Sequence, residues 1–167
     1  MLHIENCIIS GFYVGIDFAA PGQLFVKDTI SRNNIYYGIY ITPYPGLATV
    51  SIDHCRMEKN GTGLFAAFNA KVTVRDSVAA GNNTTPIPAI AGDGFEGSDL
   101  TIENCVATGN NNGIHIGSIG RVSNTIVTDN TNVGLFNDGG TLISFGNNRV
   151  RGNGVDKSGP ITIVPQS

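Results

Sequence analysis

The sequence repeats one short unit along most of its length, and this repeat limits the fold more than any other feature. The unit is clearest between Leu100 and Ile116, where an alternating strand, an Asn-Cys pair, a small turn and a second alternating strand follow one another. The position of Asn104 recurs every 20 to 28 residues, at Asn6, Asp28, His54, Asp76, Asn104, Asn124 and Asn147. Six residues beyond each stand Phe12, Asn34, Asn60, Asn82, Asn110, Asn130 and Asn153. Repeats of this length with Gly and Asn at the turns predict a β-solenoid.

Alternation along each strand predicts which side chains fill the core. The first predicted inward set is Leu24/Val26, Val50/Ile52, Val72/Val74, Leu100/Ile102, Gly120/Val122 and Ile143/Phe145. The second is Ile16/Phe18, Ile39/Ile41, Leu64/Ala66, Ile114/Ile116 and Leu135/Asn137. A glycine precedes each second pair, which predicts a bend that a Cβ would block. Three short strands per turn and about seven rungs follow from this alignment.

Two insertions interrupt the repeat. They cover residues 42–49 and 83–99, and we expect both to leave the solenoid between the third strand of one rung and the first strand of the next. Pro86 and Pro88 predict that the second insertion contains no regular central strand. Loops that share one corner are a usual place for a functional site in a repeat protein.

Residues 1–167 form one domain in this interpretation, because no Pro-, Ser- or charge-rich linker divides them. Residues 154–167 are a tail in which Ile161 and Ile163 supply one more inward pair, and the chain as a whole is interpreted as a possible fragment of a longer parent. The net charge of -3 argues against a nucleic-acid partner. No apolar run reaches the roughly 18 residues of a membrane span. No signal peptide opens the sequence, which predicts either a cytoplasmic protein as written or a parent whose leader has been removed, and leaves the compartment undecided.

The three cysteines are predicted to be free thiols. Cys7, Cys55 and Cys105 occupy equivalent positions two rungs apart, or about 9.6 Å at a rung spacing of about 4.8 Å, which is beyond disulfide reach. Burial among small side chains is favoured over a reactive or metal-binding role.

The aligned asparagines, the repeated turns and the closing segment from Ser144 to Asn153 resemble the right-handed parallel β-helix family of carbohydrate-associated proteins, in particular an uncharacterised bacterial member. That family includes pectate lyases, polygalacturonases, alginate epimerases and phage tailspikes. The resemblance implies an all-β, single-stranded, right-handed coil, in a family whose members are often secreted. It implies no particular activity, because the fold carries enzymes, adhesins and spacers alike.

Asp53 and His54 form the first candidate catalytic pair, since the segment from Ile52 to Cys55 resembles a short motif of pectate lyases. Such a lyase would also be expected to carry a proton-abstracting base, a calcium-binding carboxylate cluster and an arginine-bearing motif, and the sequence does not combine them. A structural role in which His54 hydrogen-bonds along its stack is therefore favoured. The outward row through Asp53 alternates in sign, which predicts an ion-pair ladder rather than a glycosidase cleft: Glu5, Lys27, Asp53, Arg75 and Glu103.

The outward row of the third strands contains Asp17, Tyr40, Phe65, His115 and Phe136. Aromatic side chains in a line either stack on sugar rings or pack against another subunit, so this row predicts a polysaccharide ligand or a homo-oligomer. The open solenoid ends are a second predicted route to self-association.

Asp93, Glu96 and Asp99 form an acidic group that we expect on a Gly-rich loop. Three carboxylates on such a loop are suited to calcium or to acid-base catalysis, although the weak motif favours a solvated turn.

Taken together, these patterns favour a self-associating structural or carbohydrate-binding module in which the sequence demonstrates no active site. The alternative is a diverged or truncated polysaccharide lyase or glycoside hydrolase that acts on an acidic polysaccharide. Asp53, His54, Asp93, Glu96 and Asp99 are its candidate catalytic residues.

Overall fold

The computed structural model describes residues 1–83 and 92–165, and every regular element in these ranges is a β-strand. The strands are β1 Leu2–Glu5, β2 Ile8–Ser10, β3 Val14–Phe18, β4 Gly22–Lys27, β5 Ile30–Arg32, β6 Tyr37–Ile41, β7 Ala48–Asp53, β8 Arg56–Glu58, β9 Thr62–Arg75, β10 Val78–Ala80, β11 Phe95–Glu103, β12 Val106–Thr108, β13 Ile114–Ser123, β14 Ile126–Thr128, β15 Val133–Asn137, β16 Thr141–Phe145, β17 Arg149–Val150, β18 Val155–Ser158 and β19 Ile161–Val164.

Each strand pairs in parallel with its counterpart one turn further along the chain. The second strands of the turns form a seven-stranded sheet in the order β17-β14-β12-β10-β8-β5-β2. The first and third strands belong to one larger sheet, because β9, β11 and β13 each run from the third strand of one turn into the first strand of the next. The result is a β-solenoid of about seven turns, which confirms the predicted fold class.

The predicted core is confirmed over most of its length. Inward side chains of the first strands, such as Leu24, Ile52 and Leu100, are fully buried. In the fourth turn, Phe95 pairs in register with Leu64 and Ile114 and continues the second inward stack. The expectation that residues 83–99 lack a regular strand is therefore wrong for the part from Phe95 onward, while Pro86 and Pro88 lie outside the described residues.

The last turn differs from the predicted register by one residue. Leu142 and Ser144 face the core, whereas Ile143 and Phe145, which the alternation assigned to it, are only half-buried. Ser144 pairs with Val122 and Arg149 pairs with Ile126, so the turn between β16 and β17 contains one residue more than its neighbour. A shift of one residue moves every side chain of a strand to the opposite face.

The two insertions fall between different pairs of strands, which corrects the predicted shared corner. Residues 42–47 connect the third strand β6 to the first strand β7. Residues 81–94 connect the second strand β10 to the third strand β11 instead. The sequence signal for the third strand of this turn is Phe95, the apolar residue at which β11 begins directly after the insertion.

The two asparagine rows have different structural roles. From Asn6 to Asn124, the row through Asn104 lies on exposed bends whose φ angles, from 47° to 54°, are left-handed, a conformation that Asn and Asp tolerate better than most residues. Asn147 in the irregular last turn does not share this conformation. The row that contains Asn60, Asn82 and Asn110 is buried and forms a continuous ladder. The Asn82 side-chain amide donates to Asn110 Oδ1 at 2.9 Å, and the Asn82 backbone N–H donates to the same oxygen at 2.9 Å.

The glycines of the third strands permit close approach between turns. A Cβ on Gly63 would lie 2.5 Å from the carbonyl oxygen of Gly94 and 2.9 Å from Asn82 Nδ2. Gly38, Gly94 and Gly113 meet the next turn in the same way. Their role is contact rather than the sharp bend that the sequence predicted, because none of these four glycines has a left-handed φ.

The cysteines are free thiols, as predicted, and Cys55 and Cys105 are buried. The Cys55 backbone N–H donates to Ser77 Oγ at 3.0 Å in the next turn. Burial raises the pKa of the Cys55 thiol, and it raises that of Cys105 to about 11. Both side chains therefore act as small core residues and stay protonated at neutral pH.

Replacement of Asn82 by Ala should lower the free energy of unfolding by about 3 kcal/mol. The backbone N–H of Asn60 would lose its acceptor inside the protein, and the side-chain bond from Asn60 to Asn82 Oδ1 would be lost as well. Urea denaturation followed by circular dichroism measures this change. Asn69→Ala is the matched control, since Asn69 is exposed, and it should change the stability by less than about 0.5 kcal/mol. Equal effects of the two substitutions would contradict a stabilising role of the ladder.

Gly63→Ala should destabilise the protein by about 2 kcal/mol or more, because the added methyl group would push against the backbone of the next turn. Gly117→Ala is the control, since a Cβ there meets no heavy atom within 4 Å. Thermal unfolding of both variants tests this expectation, and a Gly63→Ala protein as stable as Gly117→Ala would show that the turns can separate without cost.

Candidate functional site

The outward row of the third strands carries the candidate site. Tyr40 pairs with Phe65, Phe65 with Glu96, Glu96 with His115, and His115 with Phe136 in successive turns. Glu96 thus fills the row position that the sequence left open at the irregular fourth turn. Asp17 precedes this group and is exposed, with Tyr40 and Phe65 between it and Glu96.

Aromatic rings occupy both sides of Glu96 and His115 in this row. The Tyr40 and Phe65 rings stack with centroids 5.4 Å apart and planes 17° apart, and Tyr37 stacks on Tyr40 at 4.6 Å. We call Tyr37, Tyr40 and Phe65 the aromatic platform. Beyond Glu96, the His115 and Phe136 rings stack at 4.6 Å. The predicted line of aromatic side chains is present, and its rings are half-buried by one another.

Four titratable side chains converge between these rings, and we call Asp93, Glu96, His115 and Asp138 the His115 cluster. Asp93 Oδ2 lies 2.8 Å from His115 Nδ1, and Asp93 Oδ1 accepts a hydrogen bond of 2.7 Å from the Asn112 amide. Glu96 Oε1 lies 3.9 Å from His115 Nδ1, and Asp138 Oδ2 lies 3.8 Å from His115 Nε2. The Asp93 side chain is completely buried.

The sequence places Asp93 at the base of this cluster through the register of the third strands. The Gly63 N–H donates to the Asp93 carbonyl, and the Gly94 N–H donates to the Asn112 carbonyl, so Thr62, Asp93 and Asn112 are equivalent residues of successive turns. This position lies at the start of the third strand and is buried in all three turns. A carboxylate there must find its partners inside the protein, which Asn112 and His115 provide.

Burial and charge shift the protonation equilibria of the cluster. Burial, together with the charge of Asp93, raises the pKa of Glu96 to about 7, although His115 opposes the shift. Burial alone would lower the pKa of His115, but the hydrogen bond with Asp93 and the charges of Asp93, Glu96 and Asp138 outweigh it and raise that pKa. The pKa of Tyr37 is also raised, by burial and by the proximity of Tyr40 and Glu96.

Two shallow depressions adjoin at this face. The first, of about 200 Å³, is lined by residues that include Phe65, Glu96, His115 and Asp138. The second, of about 240 Å³, is lined by residues that include Leu47, Phe68, Lys71, Asp99 and Ile119. They adjoin because consecutive residues of β9, Ala67 and Phe68, line the first and the second respectively.

Asp99 does not join Asp93 and Glu96, although the sequence grouped the three. Residues 95–103 form the strand β11 rather than a loop, and Asp99 lies in the first-strand part of it, where it pairs with Arg121 at 3.2 Å. The loop interpretation is therefore wrong for this segment. Calcium binding by Asp93, Glu96 and Asp99 stays a prediction, and the structure brings only the first two together, with His115 in place of Asp99.

Asp53 and His54 lie on a different part of the surface. They stand at the exposed bend after the first strand β7, where His54 Nδ1 is 3.1 Å from Asp53 Oδ1. The registers of the charged row are as predicted, and Arg75 pairs with Glu103 at 3.2 Å. Asp53 and His54 do not lie on the outward face of the third strands, so the structure does not join this pair to the His115 cluster.

Asn112 and Asp138 are site residues that the sequence analysis missed. Asn112 stands in a run of three asparagines whose first member belongs to the ladder, so alignment of Gly94 with Gly113 would have placed Asn112 beside Asp93. Asp138 follows the last residue of β15 and carries no sequence signal that links it to His115.

These observations define a parallel β-solenoid with an aromatic and titratable outward face. The chain belongs to the right-handed β-helix family, whose family model, described as a right handed beta helix region, matches residues 1–153. This match confirms the family resemblance and the handedness of the coil. No curated protein and no solved structure matches the chain. The described residues contain no helix long and apolar enough to cross a membrane.

Glu96→Gln should stabilise the metal-free protein at pH 8 and change its stability little at pH 4. The pKa of Glu96 is raised from 4.5 to about 7 on folding, so the folded state loses stability as pH rises between these values, by up to about 3 kcal/mol. The raised pKa of His115 acts in the same direction, since its stabilisation is present below pH 6.5 and is lost as pH rises through the folded-state pKa.

Urea denaturation of both proteins at pH 4, 6 and 8, in buffer with EDTA, measures this difference. Glu5→Gln is the control for the substitution itself, because Glu5 is an exposed glutamate on the first strand. A gain for Glu96→Gln that does not depend on pH would contradict the electrostatic origin of the cost.

Proposed function

We propose that the protein is a carbohydrate-binding β-helix module whose ligand lies along the outward row of the third strands. The observation that carries this proposal is the sequence of surfaces in that row: the aromatic platform, then Glu96 and His115, then the Phe136 ring. Sugar rings pack their apolar faces on aromatic side chains, and their hydroxyl groups bond to carboxylates and imidazoles. Neighbouring turns of the solenoid are about 4.8 Å apart, and this spacing is close to the size of one sugar ring.

A neutral polysaccharide suits this face better than an acidic one. Asp93, Glu96 and Asp138 carry carboxylates beside a single imidazole, and the whole chain has a net charge of -3. A polyuronate would be repelled by this local field unless a bound cation offset it. The depression that contains Phe68 and Leu47 extends the surface on which a longer oligosaccharide could pack.

Self-association through the same row is the competing use of this surface. Aromatic rings are enriched in subunit interfaces, and a second copy of the chain would cover the platform as a sugar would. The two uses exclude each other where the row is completely covered, so the oligomeric state in solution distinguishes between them.

Cleavage of the bound polysaccharide is a second candidate function. It is favoured by the position of Glu96, His115 and Asp138, which line the same depression as Phe65, so that a sugar stacked on Phe65 would lie against acid-base side chains. Asp53 and His54 do not line this depression. Release of reducing or unsaturated ends from the bound polysaccharide would support the cleavage candidate, provided that substitution of His115 abolishes it.

The test is affinity electrophoresis through gels that contain soluble β-glucan, xylan, galactomannan or polygalacturonate. Phe65→Ala should weaken binding about three- to tenfold, in line with the loss of one ring stack. Phe12→Ala is the matched control, because Phe12 is an exposed phenylalanine outside the row, and it should bind like the wild type.

Light scattering on the same proteins completes the test. A wild-type monomer whose retardation depends on Phe65 supports the carbohydrate proposal. A wild-type oligomer that Phe65→Ala converts to a folded monomer, with no retardation in any gel, contradicts it and identifies the row as a subunit interface.

A further inference from the structure

Three different kinds of side chain turn their donor atoms toward one point in the His115 cluster. A carboxylate oxygen of Asp93, a carboxylate oxygen of Glu96 and a ring nitrogen of His115 all lie within 4.8 Å of one another. We infer that these three residues bind a divalent first-row transition metal, with Zn²⁺ as the representative ion. Ligand atoms about 2.1 Å from a zinc ion lie about 3 to 3.5 Å from each other. The contacts of His115 Nδ1, 2.8 Å to Asp93 and 3.9 Å to Glu96, bracket that range.

The side chains that line the depression favour a bound cation. Asp93 is completely buried, Glu96 is mostly buried, and Asp138 stands on the far side of the same imidazole. Among the described residues that line this depression there is no Lys or Arg. One imidazole therefore faces three carboxyl groups, whereas Asp99 in the adjoining depression pairs with Arg121. A bound dication would balance the charge that the protein's own side chains leave uncompensated.

The surroundings of the three donors provide an argument that does not depend on charge. The Asn112 amide donates a hydrogen bond to Asp93 Oδ1, which leaves Asp93 Oδ2 directed at His115. Asp138 Oδ2 lies 3.8 Å from Nε2, the ring nitrogen of His115 that would not bind the metal, which is an ion-pair distance rather than a hydrogen bond. Histidine ligands typically donate this second N–H to a carboxylate, and such contacts fix the ring for coordination. Stacking on Phe136 holds the plane of the same ring.

The donor set selects the class of metal. One imidazole nitrogen with two carboxylates is the mixed set that suits Zn²⁺ and its neighbours, whereas Ca²⁺ takes six to eight oxygen ligands. Three protein ligands leave at least one coordination position for water or another ligand. Because Glu96 and His115 line the depression, that open position would face it.

A second group with the same residue types serves as an internal comparison. Asp53, His54 and Asp76 also bring three donor atoms within 4.8 Å. His54 and Asp76 are exposed, and no member of this group is completely buried. Water can solvate these carboxylates, so the group gains little from a bound ion. The inference about the His115 cluster does not depend on the carbohydrate proposal, since metal binding can be measured without a sugar.

The test is isothermal titration calorimetry of the full chain, first stripped with EDTA and dialysed, with ZnCl₂ and separately with CaCl₂. The wild type should bind one Zn²⁺ per chain in preference to Ca²⁺. Glu96→Gln and His115→Gln should each weaken Zn²⁺ binding about 100-fold or more, and Asn112→Ala should weaken it about 10- to 100-fold. His54→Gln is the matched control and should retain the wild-type affinity.

Circular dichroism spectra verify that each variant is folded. If His115→Gln does not fold, Glu96→Gln alone decides the test, because Gln preserves the shape of Glu. Several results would overturn the inference. They are the absence of Zn²⁺ binding by the wild type, an affinity that Glu96→Gln and His115→Gln leave unchanged, an equal loss in His54→Gln, or a preference for Ca²⁺ that does not depend on His115.

Discussion

Hydrogen bonding between successive turns is the constraint on which the rest of the structure depends. The backbone amides of each strand bond to the next turn, and the buried asparagines extend the same pattern through the bends. Each asparagine satisfies a backbone N–H that would otherwise be buried without a partner, a cost of about 1 to 3 kcal/mol per group. The ladder therefore fixes the height of every turn, and with it the spacing of each outward row.

The candidate site follows from that fixed register. Asp93 and His115 are 22 residues apart in sequence, and they meet because the third strands of the fourth and fifth turns are paired residue by residue. Glu96 and His115 are neighbours in one outward row for the same reason. A solenoid builds such a site from one or two residues per turn, so no short sequence motif encodes it. Its members become visible only after the turns are aligned.

Alternation and the asparagine spacing were sufficient to predict the solenoid, the free cysteines and most of the core, because each of these depends only on equivalent positions that recur from turn to turn. They failed where the spacing itself changed. At the fourth turn the long interval from Asp76 to Asn104 gave no information on which corner holds the extra residues, so Glu96 was placed in a loop rather than in the outward row. At the last turn one additional residue between Phe145 and Arg149 reversed the predicted faces of β16. Asp138 could not have been found, since its contact with His115 depends on the path after β15.

The cost of the His115 cluster is the strongest physical sign that it has a role beyond folding. Elsewhere in the described core, buried polar groups such as Asn82 and Thr125 bond to neighbours in adjacent turns. Asp93 and Glu96 instead place two carboxyl groups side by side. Burial and the neighbouring charge of Asp93 both disfavour the ionised form of Glu96. Apolar side chains of similar size at these positions would avoid that cost. Because each turn of a solenoid is stabilised mainly by its immediate neighbours, the fourth and fifth turns can carry an unfavourable group without unfolding the rest. Residues that lower the stability of the fold locally are typical of a binding or catalytic surface.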